Sequence, residues 1–240
     1  MPLSVLYRDE YLVAVDKPPG LLVHRTRIAD ADTFVLQALR DQLGRRVHAV
    51  HRLDRPTSGV LVFGLTAEAA RRLSAQFEAQ QVVKRYLAVV RGWPAESGEI
   101  DRPLDDPEAT APGQRGARAA LTRYRRLATV ELPVAVTRYP TSRYALVEAR
   151  PHSGRRHQIR RHLVHIRHPV IGDTSHGEGR HNRFFREHFG VRRLLLHAWR
   201  LTFTHPLTGQ CLQLEAPPDA QWVKLLDDLG WAGAIISVPT

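Results

Sequence analysis

His51-Arg52-Leu53-Asp54-Arg55-Pro56-Thr57-Ser58-Gly59-Val60-Leu61-Val62-Phe63 changes character at its midpoint. Up to Gly59 it is polar and broken by proline and glycine. From Val60 it is an apolar run of strand length, so it reads as a loop feeding a buried strand. Loops held by such strands are where reactive side chains are usually presented. Asp54 stands out, with Arg52 and Arg55 beside it and hydroxyl donors at Thr57 and Ser58. A carboxylate in that setting can serve as nucleophile or base at a sugar carbon, although an ordinary salt-bridged loop residue would look the same in composition.

Working outward, Thr66 can cap a helix over Ala67–Gln80, with Ala70, Leu73 and Phe77 on one face. Lys84–Arg91 reads as a strand. Upstream, Val5–Tyr7, Leu12–Val15 and Leu21–Val23 read as short strands, with a turn at Lys17-Pro18-Pro19-Gly20. Thr33–Leu43 has helical spacing ended by Gly44. Downstream, Arg143–Glu148 reads as a strand, and Ser153 as the cap of a basic helix carrying Ile159, Leu163 and Ile166. Leu201–Phe203 and Leu212–Leu214 read as a hairpin, and Ala220–Leu229 as a last helix. Residues 94–118 lose periodicity, and 105–117 read as a mobile surface loop. Strands outnumber helices without alternating regularly with them. That predicts an α+β fold with a mostly antiparallel mixed sheet and flanking helices, in a single catalytic domain over 1–240.

The chain has 35 Lys plus Arg against 24 Asp plus Glu, a formal net charge of +11. Only Lys17, Lys84 and Lys224 are lysines, so arginine supplies the excess. Between Arg150 and Arg200 lie 12 arginines and three acids, Asp173, Glu178 and Glu187. Planar, bidentate donors at that density suit a phosphate backbone. Histidine is dense there too, but only His162 and His165 share a helical spacing, and no carboxylate joins them in a zinc-ligand pattern. A single cysteine, Cys211, excludes an internal disulfide or a thiolate cluster. No run approaches the ~20 apolar residues of a membrane span, and the first residues lack a signal-peptide pattern; a cytoplasmic setting is expected. No GxSxG elbow, Walker loop or GxGxxG turn is present.

The segment from His51 to Gly59 resembles the HRLDxxTSG signature of the RluA family of pseudouridine synthases. Lys17-Pro18-Pro19-Gly20, Lys84-Arg85-Tyr86, Gly154-Arg155-Arg156-His157-Gln158-Ile159-Arg160 and Leu196-His197-Ala198 agree with the family in order. Arg161-His162-Leu163, His168–Asp173, Gly177–Arg183, and Leu127–Glu131 with Pro133-Val134 are similar to its TruC branch. Proteins of that branch act on tRNA uridine 65, at the foot of the T stem, and an S4-type RNA-binding domain is not expected. The resemblance implies a pseudouridine synthase fold, tRNA as partner (ribosomal RNA being the alternative substrate), and no obligate protein partner. It implies no metal and no cofactor, since the reaction is an isomerisation. Residue by residue it makes Asp54 the catalytic aspartate, Tyr86 the tyrosine that stacks on the target base, and Arg160 the arginine that pairs with the catalytic carboxylate. Arg52 becomes the side chain that fills the gap left by the uridine, and Leu196 an apolar wall. Lys84, Arg156 and Arg161 are expected on RNA. Taking a base out of a stem costs a few kcal/mol, which an arginine plane and an aromatic face can offset.

Overall fold

The computed structural model describes residues 2–23, 34–105 and 116–235. In chain order the elements are β1 (Ser4–Arg8), β2 (Leu12–Lys17), α1 (Val35–Leu43), β3 (His48–Ala49), β4 (Ser58–Gly64), α2 (Ala67–Glu78), β5 (Val83–Arg91) and β6 (Ser97–Asp101). There follow β7 (Leu121–Leu132), β8 (Ser142–Pro151), α3 (Gln158–His165), α4 (Gly179–His188), β9 (Leu196–Thr204), β10 (Cys211–Glu215) and α5 (Ala220–Asp228). This is the expected α+β arrangement. The chain divides into two compact units, one of Met1–Arg85 with His197–Pro217, the other of Tyr86–Leu196 with Pro218–Thr240.

In the first unit, β4 is buried along its whole length. It has a strand on either side. β2 pairs with it antiparallel from Leu12↔Gly64 to Lys17↔Gly59, and β9 runs parallel at Ser58↔His197 and Gly59↔Ala198. Burial on both faces explains why Val60–Phe63 shows no polar alternation. β1 pairs antiparallel with β2, and β10 with β9, where Leu201 faces Leu214 and Phe203 faces Leu212 as the hairpin reading expects. Thr66 caps α2 by accepting from the Ala69 N–H at 3.1 Å, and Leu73 joins Leu12, Val60, Val62 and Phe203 in the core.

The second unit is an antiparallel meander. β8 pairs with β5 on one side and β7 on the other, and β7 pairs with β6. Ala88, Val90, Ala145 and Val147 meet Ile159 and Leu163 of α3 in its core.

Two local readings change, at Leu21–Val23 and at Ser153, and β6, β7 and α4 form where no element was read. β7 lacks a legible alternation because its register shifts between Arg126 and Ala128, which reverses which face each later residue takes. β6 is short and lies within the stretch that loses periodicity. Leu21–Val23 forms only a single bridge, Leu22 to Phe34; its carbonyls at Leu22 and Val23 instead accept from the first N–H groups of α1. Ser153 does not cap α3: its hydroxyl donates to Gln158 Oε1 at 2.7 Å, and the capping position is His157, in left-handed conformation. Thr33 and residues 106–115 lie outside the described residues. α4 has only His181 and Phe185 fully buried, too narrow a stripe to read in so basic a segment.

Gly59 joins the loop to β4 with φ +112, and a Cβ there would lie 2.2 Å from the Ala198 carbonyl oxygen. Gly59→Ala is expected to cost about 2–5 kcal/mol, from strain plus overpacking, read as a fall in the urea midpoint.

Candidate active site

Lys17 ends β2 with no exposed surface. Its ammonium donates to the carbonyls of Pro18 at 2.8 Å, Leu21 at 2.8 Å and Arg55 at 3.1 Å. A buried charge needs its hydrogen bonds satisfied, and here part of that need is met by the residue following Asp54. The two turns are also tied directly. The Gly20 N–H donates to Arg55 O at 2.8 Å, and Arg55 Nε donates to Gly20 O at 2.9 Å. The Thr57 N–H closes a turn onto the Asp54 carbonyl at 3.0 Å. Asp54 is therefore displayed from a turn anchored below by the Lys17-Pro18-Pro19-Gly20 segment.

The loop is fixed from its far end as well. Leu53, Thr57 and Ser58 are buried. His197 Nε2 donates to Ala216 O at 2.9 Å, so its Nδ1 accepts from the Ser58 hydroxyl at 2.8 Å. His51 stacks on Phe77 with ring centroids 4.4 Å apart and accepts the Val62 N–H at 3.0 Å. Burial, with the Lys84 charge adding to it, pushes His51 down to about 3. Lys84 itself is half-buried on β5. Arg52 is exposed and has no partner among the described residues.

In the second unit, Tyr86 is half-buried and packs on the cluster that contains Leu196, Ile159 and Leu163. The expected tyrosine and its apolar wall thus share one cluster. Next to Ile159, Arg160 is buried and forms a two-pronged pair with Asp173, Nε to Oδ2 and Nη2 to Oδ1, both 2.7 Å. Asp173 Oδ1 also accepts the N–H groups of Ser175 and His176 at 2.9 Å. Burial alone would raise the Asp173 carboxyl, but Arg160 and these amides hold it below the usual range. Asn182 locks the same loop, accepting from Gly172 N at 2.7 Å and donating to Asp173 O at 2.9 Å. Arg156 is half-buried just before α3. Arg161 forms an ion pair with Asp105 and also donates to its carbonyl at 2.7 Å.

His162 and His165, the histidines at helical spacing, have other duties. His162 Nε2 donates to Arg102 O at 3.1 Å, and its Nδ1 accepts from the Thr122 hydroxyl at 2.9 Å. Gln158 Nε2 donates to Leu121 O at 2.9 Å, so α3 docks on β7 through paired polar groups. His165 contacts Arg102. Among the described residues no group of three His, Cys, Asp or Glu could hold a metal ion, and no helix is long and apolar enough to cross a membrane.

Sequence reasoning named the Lys17 turn but not its ammonium, and missed Asp173, Gln158 and the Ser58–His197 pair. A signal existed for the first two. Lysine persists at only three positions in a chain with 32 arginines, and a compact ammonium can take three converging carbonyls where a planar guanidinium cannot. Asp173 is one of three acids among the 12 arginines of residues 150–200.

The profile of the RNA pseudouridylate synthase family matches residues 11–165, most of the chain. The tRNA pseudouridine synthase C of Salmonella typhi is 51% identical over 239 residues, covering 97% of this chain and 92% of the relative. That of Vibrio cholerae is 48% identical over 240 residues, covering 98% of each. Among solved structures, human RNA Pseudouridylate Synthase Domain Containing 4 superposes with TM-score 0.72 at 26% identity, covering 95% of this chain and 93% of that one. Human RNA Pseudouridylate Synthase Domain Containing 1 gives 0.70 at 25%, covering 99% and 96%. The chain belongs to the RNA pseudouridylate synthase family. It is an isomerase that converts uridine in RNA to pseudouridine.

Two outcomes follow from this geometry. Arg160→Ala leaves the Asp173 carboxylate buried without its counter-charge, so unfolding free energy should drop by about 3–5 kcal/mol, measured by urea titration. The second concerns pH. His51, His162, His168 and His181 all sit below the usual 6.5, burial being the first cause in each. Below about pH 6.5 the unfolded chain takes up protons that the folded chain refuses, so stability is full above that pH and is lost on acidification. His51 alone should remove about 2 kcal/mol by pH 5. Thermal melts between pH 7 and 5 should fall for the parent and fall less for His51→Gln.

Proposed function

We propose that this chain makes pseudouridine in tRNA, at uridine 65 at the foot of the T stem, in the cytoplasm. The observation that carries the substrate is the near full-length identity of about half to relatives named tRNA pseudouridine synthase C. The segments from Arg161 to Arg183 support the same branch.

Asp54 is the catalytic residue in this proposal. The reaction breaks the bond between ribose C1′ and uracil N1, forms one from C1′ to C5, and releases the C5 hydrogen as a proton while N1 takes up a proton. Atoms and electrons balance without a redox partner. Whether Asp54 attacks the ribose, attacks the base or takes a ribose proton, it must supply a carboxylate at a fixed place. The turn anchored by Lys17 supports that task, because a small misplacement of a reacting group is costly in rate. Tyr86 receives the uracil on its face, with Leu196 in the cluster behind it. Arg160 is the catalytic arginine, and the two-pronged bond to Asp173 supports the role by holding its guanidinium plane. Arg52 fills the space the uridine leaves. Lys84, Arg156 and Arg161 contact RNA.

Purified chain and unmodified tRNA transcript should yield pseudouridine at position 65, mapped by chemical labelling and primer extension. Product confined to ribosomal RNA fragments would reject the tRNA assignment. Asp54→Asn should release no C5 hydrogen from labelled uridine while keeping the parent's melting temperature. Near-normal release by that variant would remove Asp54 from the chemistry.

A further inference from the structure

Arginines of the second unit fall into two groups. Most have a partner within the chain. Arg91 is paired with Glu178, Arg123 with Glu99, Arg143 with Glu131, Arg160 with Asp173, Arg161 with Asp105 and Arg193 with Asp219. Arg125 and Arg150 share Glu148. By contrast Arg167, Arg180, Arg183, Arg186 and Arg192 are all exposed, and their side chains have no partner among the described residues. Arg118 is the other such arginine of this unit, and it stands near residues outside the described set.

These five are not scattered. Arg180, Arg183 and Arg186 recur every three residues along one side of α4, spanning about 9 Å of helix axis. Its opposite side is bolted down. The His181 ring shares a hydrogen bond of 2.8 Å with the Tyr144 hydroxyl of β8, and Phe185 meets the Tyr144 ring edge-on at 4.8 Å. Gly190 turns the chain in left-handed conformation, and the Val191 N–H returns to Phe185 O at 3.1 Å. Arg91 ties Arg167 to the start of α4: it pairs with Glu178, the capping residue, and donates to the Arg167 carbonyl at 3.0 Å. Arg192 follows the far end. Glu187 is the one acid on the exposed side of α4.

We propose that the outer face of α4, extended by Arg167 and Arg192, is a dock for the phosphate backbone of the RNA substrate. The proposal rests on the reading of the chain as an enzyme of RNA. A face that only needed solubility would not require five like charges left unmatched where the same unit pairs eight other arginines with acids. The face offers guanidinium forks with no apolar centre, which is the chemistry of phosphate rather than of a protein partner. Attachment through Tyr144 fixes the spacing of the helix positions that carry the forks before RNA arrives.

The test is a salt series of equilibrium binding to an unmodified tRNA transcript, using the full chain. One variant carries Arg180→Ala, Arg183→Ala and Arg186→Ala; alanine keeps an exposed helix. A control carries Arg71→Ala, Arg123→Ala and Arg143→Ala, the same loss of charge at arginines already paired with Glu68, Glu99 and Glu131. Each phosphate contact contributes a slope of about 0.7–0.9 log units per log unit of salt. The α4 variant should bind about 10- to 100-fold more weakly at physiological salt and lose about two units of slope, and the control should keep the parent's slope. Replacing the same three arginines with lysine should restore most of the slope, which excludes a folding defect. Equal loss in the α4 variant and the control would overturn the proposal in favour of bulk charge. Unchanged slope in the α4 variant would place the backbone elsewhere. Either result leaves the parent's modification of tRNA intact, so it is distinguishable from a failure of the tRNA reading.

Discussion

The Lys17 ammonium is wholly buried, and three backbone carbonyls from two different turns close around it. Taking such a charge out of water costs several kcal/mol unless its donors are met. The Pro18, Leu21 and Arg55 carbonyls meet them only when the first turn and the Asp54 turn sit against each other. The constraint works in both directions. It fixes where the chain leaves β2, and it fixes the residue after Asp54. The register of β2 on β4, which places Lys17 opposite Gly59, brings the ends of the two turns to the same edge.

A similar economy governs α3. Its exposed side is basic, but its buried side carries Gln158, Arg160 and His162 besides Ile159 and Leu163. Each buried polar group has a defined partner: Leu121 and Thr122 for Gln158, Asp173 for Arg160, Thr122 and Arg102 for His162. A purely apolar helix could slide along the sheet. These directional bonds allow one register, and so the Arg160 guanidinium has one position. The Asp173 loop is held in turn by Asn182 at the start of α4. The basic segment after α3 is therefore part of the machinery that orients Arg160, as well as a carrier of unmatched charge.

Charge in this chain is sorted by partner more than by position. The stretch from Arg150 to Arg200 looks uniform in sequence, yet Arg160 is buried against a carboxylate, Arg161 and Arg193 are ion-paired, and Arg180, Arg183 and Arg186 face solvent. The histidines divide in the same manner. His162 and His181 in the interior, and the half-buried His168, serve as neutral hydrogen-bonding groups, with burial holding them below their usual range.

What the sequence by itself determined was whatever local chemistry specifies. The change from polar loop to apolar strand at Gly59, the Thr66 cap, the Lys17-Pro18-Pro19-Gly20 turn and the β9–β10 hairpin all depend on neighbouring residues, and all are legible. So is the family, because its signature is a contiguous loop around Asp54. The tertiary structure alone decided the partners. That Lys17 reaches Arg55, that Asp173 claims Arg160, and that His197 receives the Ser58 hydroxyl are contacts between residues 13 to 139 positions apart. β7 stayed hidden because a bulge reverses its alternation, and α4 because its two buried anchors, His181 and Phe185, depend on Tyr144 from another strand. Hydrophobic period reports the local backbone; it carries no record of which distant polar group will complete a buried one.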